Sequence, residues 1–195
     1  MSGYQCVALG TSLGGLQAMR QLLAAMPGRL ALPVCLVQHR RADAESLLPG
    51  LLQPHTQLAV LEPDDGTPLE PGRLYVAPGD YHLIVERDRL RLSVEAPVCF
   101  ARPSIDVLFE SAALSFEARA IVVALTGSNE DGVQGARRVS AAGGLVLVQD
   151  PAEAEAPELP RAVLGGVPTA RALSLDKLGS LLWQLGAPVR GAGAV

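Results

Sequence analysis

Residues 4–28 read YQCVALGTSLGGLQAMRQLLAAMPG, and they predict a strand, a glycine-rich turn and a helix, in that order. The apolar run at residues 4–9 has the length of a strand. After two glycines, apolar residues recur at helical spacing until Pro27 ends the segment. A buried strand followed by an amphipathic helix is the repeating unit of α/β proteins with a parallel sheet.

The same alternation of strand and helix continues along the chain. Residues 82–86 and 89–95 flank Arg87-Asp88 and predict a half-buried antiparallel hairpin, which we expect at an edge of the sheet. The fold class predicted is α/β: a doubly wound, mostly parallel sheet with helices on both faces and an inserted antiparallel hairpin. We expect one domain over residues 1–185 and a flexible C-terminal tail over residues 186–195. Further strands are predicted at 33–38, 73–77, 120–126 and 145–149, and helices at 43–52 (with Asp43 as N-cap), 103–116, 131–142, 161–164 and 175–185.

Composition narrows the class of protein. The 195 residues are 49% hydrophobic and 18% charged, which suits a globular domain with a buried sheet rather than a disordered chain. The formal net charge of -4 argues against a nucleic-acid partner. Cys6, Cys35 and Cys99 have no metal-type spacing, and the first two lie in apolar runs. With neither a signal-peptide pattern nor a long apolar run, we expect a cytoplasmic protein without membrane insertion.

Three polar residues lie just beyond three of the predicted strands: Ser12, His39 and Asp131. In an open parallel sheet, ligands bind at the carboxyl ends of the strands, so these residues are expected along one edge. A serine hydroxyl becomes a nucleophile when an imidazole takes its proton and a carboxylate orients that imidazole. The three residue types are the minimum set for this chemistry.

The residues around Ser12 read GTSLG at positions 10–14, which matches the G-x-S-x-G turn that exposes a nucleophilic serine between a strand and a helix. Glycine-rich turns of this kind also bind phosphates, but this one lacks the G-x-G-x-x-G spacing and the Walker lysine. The pattern favours a nucleophile over a structural N-cap serine. The following helix would point free N–H groups at the site.

Residue patterns leave one candidate for the base but two for the carboxylate. His55 is expected on the surface and His82 in packing across the hairpin, which leaves His39 as the candidate base. Asp131 and Asp150 both follow apolar strands, and residue patterns alone do not separate them; Asp106 opens a predicted helix. Either of the two could instead be a carboxylate at a helix N-terminus.

Six segments in order resemble the catalytic domain of the protein-glutamate methylesterases (CheB-type), and they span nearly the whole chain. The family patterns are G-A-S-T-G-G, V-Q-H-M, Y-V-A-P-G-x-x-H-L, R-P-S-V-D-V-L-F-x-S-A-A, L-T-G-M-G-x-D-G-x-x-G and a segment ending in M-P-x-x-A. The matching segments here are GTSLGG (10–15), LVQHR (36–40), LYVAPGDYHL (74–83), RPSIDVLFESAA (102–113), LTGSNEDGVQGA (125–136) and QDPAEAEAPELPRAVL (149–164).

The resemblance implies a hydrolase that removes methyl esters from glutamate side chains of chemoreceptors, releasing methanol, or deamidates glutamine there. It implies Ser12 as nucleophile, His39 as general acid/base and Asp131, rather than Asp150, as the orienting carboxylate. Backbone N–H groups of Leu13 and Ser128 are the oxyanion candidates. No metal or cofactor is implied. The expected partners are a methylated chemoreceptor or similar signalling protein and a separate response regulator, because the matched part lacks the family's N-terminal receiver domain.

Four positions near the expected site depart from the family pattern. Leu13 replaces a threonine, Ser128 a methionine, Asn129 a glycine and Arg40 a methionine. These changes bear on the identity of the substrate more than on the type of reaction. Two alternatives therefore stay open: an interaction module that has kept the fold but not the catalysis, and a hydrolase of another small carboxyl ester.

Overall fold

A computed structural model describes residues 3–41 and 46–187 of the chain. Within them no helix combines the length and the apolar character needed to cross a bilayer. The strands are β1 (Cys6–Thr11), β2 (Val34–Gln38), β3 (Ala59–Leu61), β4 (Arg73–Val76), β5 (His82–Val85), β6 (Leu90–Ser93), β7 (Ala120–Ala124), β8 (Leu145–Gln149) and β9 (Arg171–Leu173). The helices are α1 (Gly15–Ala24), α2 (Leu48–Leu52), α3 (Ile105–Phe116), α4 (Val133–Ala141), α5 (Glu158–Gly166) and α6 (Leu175–Gly186).

Seven strands form one sheet in the order β3-β4-β2-β1-β7-β8-β9, and every neighbouring pair is parallel. The chain leaves β1 toward β2 on one side and later returns to β7 on the other. The order of strands therefore reverses at β1, which is where a crevice opens at the carboxyl ends of the strands. The predicted α/β fold with a parallel sheet is confirmed.

Helices cover both faces of the sheet, and β1 illustrates why. Its side chains alternate between two apolar layers, with Val7 and Leu9 on one face and Cys6 and Ala8 on the other, all fully buried. The first face packs against α1 and α6, and the second against α3, α4 and α5. A strand buried on both faces reads as a continuous apolar run, as the sequence does here.

The hairpin departs from the predicted arrangement. β5 and β6 pair with each other as expected, but they form a separate two-stranded sheet and add no edge to the main one. The hairpin instead lies on α3, where the Val85 N–H donates to the Ser111 hydroxyl at 3.0 Å and the Ser115 hydroxyl donates to the Val85 carbonyl at 2.8 Å. Its buried side chains complete the core on that face, so packing on a helix replaces edge pairing.

Several element boundaries also differ from the predicted ones. The edge strands β3 and β9 were not predicted, because three residues each are too few for a periodic signal. Helix α5 begins at Glu158 rather than residue 161, since Pro160 lies in the first turn, where no N–H is needed. Helix α4 begins at Val133, after Gly132 with φ 117°.

The last helix ends later than the sequence predicts. Helix α6 includes Gly186, whose carbonyl accepts the Ala31 N–H at 2.7 Å, so the folded domain extends past the predicted limit of residue 185. The rest of the predicted tail, from residue 188, lies outside the described residues, as does the predicted N-cap Asp43. The described helix there is α2, Leu48–Leu52.

Candidate active site

Ser12 is the first residue after β1, and two residues separate it from α1. Its N–H donates to the Thr126 carbonyl at 2.9 Å, and its carbonyl accepts the Gly15 N–H at 3.0 Å. The Gln38 amide adds a third restraint by donating to the Ser12 carbonyl at 2.7 Å. The backbone at Ser12 is therefore held by the ends of two neighbouring strands.

The small residues beside Ser12 are required by this turn. Gly14 has φ 79°, which favours glycine, and it is the N-cap of α1. A Cβ on Gly15 would overlap the Gln38 amide oxygen, and one on Gly127 would lie 3.1 Å from the Ser12 Cβ. Gly14 belongs to the G-x-S-x-G pattern, whereas Gly15 and Gly127 lie outside it, so glycine is required both in the pattern and around it.

His39 follows β2 directly, and its imidazole contacts Asp131. The distance from His39 Nε2 to Asp131 Oδ2 is 2.7 Å, with the histidine side chain 13% exposed and the aspartate fully buried. The Gln38 amide also donates to the His39 carbonyl at 3.0 Å, so one side chain links the backbones of Ser12 and His39. The predicted serine, histidine and aspartate therefore lie at the ends of the three central strands.

Asp131 is bound to the N-terminus of α3 as well as to His39. Its Oδ1 accepts the Ser104 hydroxyl at 2.7 Å and the Asp106 N–H at 3.0 Å. Its Oδ2 accepts the Ile105 N–H at 2.7 Å. These donors are otherwise unpaired at a helix start, where the helix dipole also favours an anion. Four donors, counting the His39 ring nitrogen, therefore converge on the two oxygens of this carboxylate.

In the described residues, no hydrogen bond links the Ser12 hydroxyl to the His39 imidazole. Across residues 3–41 and 46–187 this hydroxyl makes no hydrogen bond. Because Nε2 of His39 contacts Asp131, the nitrogen left to accept a proton is Nδ1. Contacts of this kind are often long in a ligand-free site and tighten when substrate binds.

Two clefts adjoin His39. The first, of about 560 Å³, is lined by Ser12, Leu13, Gln38, His39 and Glu155 among others. The second, of about 600 Å³, lies on the other side of the imidazole and includes the turn around Phe100. The serine and histidine thus share one open cleft at the crevice that the strand order creates.

The two oxyanion candidates lie on neighbouring loops. Leu13 and Ser128 are both exposed, and within the described part of the chain neither backbone N–H is taken by another group. The loop before Ser128 is held by α5, because the Gly127 carbonyl accepts the Leu159 N–H at 2.8 Å. The oxyanion role of these two N–H groups stays a prediction.

The other aspartate and histidines that follow or border strands make contacts away from the Ser12 cleft. Asp150 directly follows β8, and its Oδ1 accepts the Ala152 N–H at 2.9 Å in a turn. His82 is buried, with Nδ1 accepting the Ser104 N–H at 3.2 Å and Nε2 at 3.1 Å from the Ala96 carbonyl. His55 is half-buried in a short 3-10 turn.

Sequence reasoning missed the two residues that support the site, Gln38 and Ser104. Both lie inside quoted motifs, and Ser104 also precedes a helix in the N-cap position. Ser104 serves Asp131 and the Val107 N–H (3.4 Å) at once. No spacing rule indicates such contacts, because they depend on how β2 lies beside β1 and on how the start of α3 meets the loop between β7 and α4.

Asp106 and Cys99 lie next to Asp131. Burial raises the pKa of the Asp106 carboxyl, and repulsion from Asp131 adds to this. Burial also raises the pKa of the Cys99 thiol, which lies 3.9 Å from Asp106 Oδ2. One ligand atom from each of the three lies within 4.8 Å of the others. Both oxygens of Asp131 already accept two hydrogen bonds, so a cation would have to displace donors, and we assign no metal site.

Two of the positions that depart from the family pattern have local structural roles. Arg40 donates to Glu62 at 2.5 Å and to the Ala77 carbonyl at 2.9 Å, and so ties the end of β2 to two loops. The Asn129 side chain accepts the Asp131 N–H at 3.3 Å and so supports the turn before the carboxylate. Neither change disturbs the contact between His39 and Asp131.

Known proteins of one family resemble this chain in sequence. A model of the CheB methylesterase family matches residues 7–182. A protein of Leptospira interrogans, provisionally named protein-glutamate methylesterase/protein-glutamine glutaminase, is 37% identical over 183 residues, covering 93% of this chain and 95% of that protein. A Maricaulis maris protein of that name is 35% identical, covering 90% of this chain but 45% of its own length.

The structural comparison agrees with the family match. The crystal structure of the Thermotoga maritima CheB methylesterase catalytic domain superposes with a TM-score of 0.88 at 28% sequence identity, covering 93% of this chain and 98% of that domain. Sequence family, strand order and overall structure all lead to one assignment: this chain belongs to the CheB methylesterase family.

Proposed function

We propose that the chain is a serine hydrolase that removes methyl esters from glutamate side chains, or deamidates glutamine side chains, of a chemoreceptor-type signalling protein. The observation that carries this proposal is the buried carboxylate of Asp131, 2.7 Å from His39, at the crevice where Ser12 also lies. The names of the relatives supply the class of substrate.

The first half of the reaction forms an acyl-enzyme. His39 Nδ1 takes the proton of the Ser12 hydroxyl while the oxygen attacks the ester carbonyl carbon. The negative charge that develops on the carbonyl oxygen is stabilised by the N–H groups of Leu13 and Ser128. When the bond between that carbon and the methoxy oxygen breaks, His39 gives its proton to the methoxy oxygen and methanol leaves. Asp131 keeps the imidazole in the required tautomer throughout.

The second half releases the product. Water enters the cleft, His39 takes one of its protons, and the hydroxide oxygen attacks the acyl carbon. The Ser12 oxygen then leaves and regains its proton from His39, so the free carboxylate departs. A glutamine side chain would follow the same steps with ammonia as the leaving group.

The test is methanol release from a methyl-esterified chemoreceptor fragment. Ser12→Ala and His39→Ala should each lower kcat/KM by about 10³-fold or more, because residues of such a unit depend on one another. Ser180→Ala, an exposed serine on α6, is the matched control and should retain full activity. Undiminished methanol release by Ser12→Ala would refute the mechanism.

Two further measurements separate the alternative functions. If a serine-reactive phosphonate labels wild type but not Ser12→Ala, a purely non-catalytic interaction module is excluded. Turnover of small esters without methanol release from the receptor fragment would favour a hydrolase of another ester. Regulation by a separate response regulator stays a prediction.

A further inference from the structure

The cleft that contains Ser12 also contains an arginine without a partner. Arg20 lines this cleft from α1. Among the residues whose positions the structure gives, its guanidinium makes no hydrogen bond and no ion pair, and its Nε is buried without an acceptor. A buried donor that has lost water without gaining an acceptor is unfavourable, and such atoms are rare in native proteins. The Arg20 guanidinium is therefore free to bind a ligand.

Two arginines of the neighbouring cleft differ from Arg20 in this respect. Arg40 donates to the carboxylate of Glu62, and Arg102 donates to that of Asp80. Their charges are already balanced within the protein. The unpaired guanidinium thus belongs to the cleft of the candidate nucleophile.

The direction of the Arg20 side chain brings its guanidinium toward Ser12. Side chains of an α-helix point back toward the N-terminus, over the preceding turn. Leu16 and Gln17, four and three residues before Arg20, line the same cleft and share its face of α1. Ser12 lies just before this turn, so a substrate whose reacting carbonyl is at Ser12 places a neighbouring side chain near the guanidinium.

The chemistry around Arg20 favours a carboxylate as its ligand. A guanidinium offers parallel N–H donors in one plane, which is the geometry that fits a carboxylate. The first turn of α1 has no acidic side chain, and this end of the helix is the positive end of its dipole. Glu155 also lines the cleft, but this exposed carboxylate lies beside Gly14 and forms no ion pair with Arg20 in the part of the chain that the structure describes.

The proposed reaction itself produces carboxylates of this kind. It converts neutral glutamyl esters into glutamates, so a protein with several such side chains carries free carboxylates beside the remaining esters. A cation next to Ser12 would distinguish an ester with an acidic neighbour from one without.

We propose that Arg20 binds a carboxylate of the protein substrate beside the reacting glutamyl side chain, and that it thereby determines which ester enters the site. The proposal rests on the proposed function above and narrows its substrate to a glutamyl ester with an acidic neighbour. Arg20 is a specificity-determining residue, and it takes no part in bond breaking.

The experiment compares a series of methyl-esterified chemoreceptor fragments. Each has aspartate at one position within four residues of the ester, and the reference fragment has alanine at all of them. For at least one position, aspartate should lower the KM of wild type by about tenfold or more, with a similar kcat, as expected for a hydrogen-bonded charge pair. Arg20→Gln should abolish this difference and leave the KM for the alanine fragment unchanged. Arg20→Lys keeps the charge without the planar fork, so it should restore part of the preference.

Three controls test whether the effect is electrostatic and local. Arg29→Gln removes the same charge from an exposed side chain in another cleft, near the amino ends of β2 and β4, and should leave every KM unchanged. Glu155→Gln removes a negative charge from the Ser12 cleft and should lower the KM for the aspartate fragment. Higher ionic strength should raise that KM in wild type but not in Arg20→Gln.

Binding without turnover separates this proposal from the proposed function. In Ser12→Ala, the dissociation constants of fluorescently labelled fragments should show the same preference for aspartate, and adding Arg20→Gln should abolish it. If they do so while wild type releases no methanol, the proposed function fails and the carboxylate site stands.

Three results would overturn the carboxylate site. The first is a wild type that binds and hydrolyses the aspartate and alanine fragments equally well. The second is an Arg20→Gln variant whose KM rises by the same factor for every fragment while its urea midpoint falls, because a structural role of Arg20 would do this. The third is an Arg20→Gln variant that weakens only the inhibition by hydrolysed alanine fragment, because Arg20 would then contact the product of the reacting side chain itself.

Discussion

Replacing Asp131 by asparagine should cost both stability and activity, because one carboxylate serves α3 and His39 together. Asparagine keeps an oxygen for Ser104 and Asp106 but turns its NH2 group toward the Ile105 N–H, leaving a buried donor unpaired. An unpaired buried donor costs about 1–3 kcal/mol, and two bonds that lose a charged acceptor cost about 1 kcal/mol each. We therefore expect the free energy of unfolding to fall by about 3–5 kcal/mol.

The activity should fall for a related reason. His39 can accept from the new NH2 group through Nε2 only if its proton moves to Nδ1, and the nitrogen needed as base is then blocked. Loss of the correct tautomer in this way costs about 10⁴-fold in kcat in a comparable triad. Because domains of this kind have about 5–15 kcal/mol of stability, the variant should remain folded at 25 °C and be measurable.

Asp150→Asn is the matched control, since residue patterns without the family resemblance did not separate the two aspartates. Its Oδ1 caps a turn through the Ala152 N–H, a bond that an amide oxygen retains, so we expect a loss below about 1 kcal/mol and unchanged activity. Urea unfolding followed by the fluorescence of Trp183 measures stability, and methanol release measures activity. Equal effects of the two substitutions, or a loss below 1 kcal/mol for Asp131→Asn, would refute the reasoning.

Two further predictions concern the supports of the site. In Gly10→Ala the new methyl group would overlap Ile105 Cγ2 at the start of α3, so the free energy of unfolding should fall by about 1–3 kcal/mol. Gly50→Ala is the control: open space surrounds this position, so the free energy of unfolding should stay the same or rise by up to about 1 kcal/mol. Equal urea midpoints for the two variants would contradict this. Burial raises the pKa of the Asp106 carboxyl, so the folded state holds this proton more tightly and the wild type loses stability as pH rises from the unfolded-state pKa of about 3.9 through the folded one. Asp106→Asn keeps an oxygen for the Gly135 N–H, so its free energy of unfolding should rise relative to that of wild type between the unfolded and folded pKa of Asp106 and keep this gain at higher pH. Urea unfolding measures this difference between variant and wild type, and a difference that stays flat or falls with pH would argue against the prediction.

Much of the architecture could be predicted because burial leaves a local signature. β1, β2, β7 and β8 are apolar on both faces, and their runs stand out from the amphipathic helices between them. The short edge strands β3 and β9 could not be predicted, because their residues pair with the sheet without being buried by it. The hairpin was recognised from its own alternation, but its attachment to α3 depends on Ser111 and Ser115, which carry no such pattern.

The residues of the candidate site could be predicted from the sequence, whereas their distances from one another could not. Residue types, their positions after strands and the family motifs were enough to nominate Ser12, His39 and Asp131, because a parallel sheet brings the ends of its strands to one edge. Without the family motifs, the position of each residue after a strand left Asp131 and Asp150 equivalent. In the folded protein β7 lies beside β1 and β8 lies one strand further out, so Asp131 meets His39 and Asp150 does not. Spacing along a chain specifies which residues follow strands, whereas their mutual distances follow from strand order, and strand order arises from long-range packing.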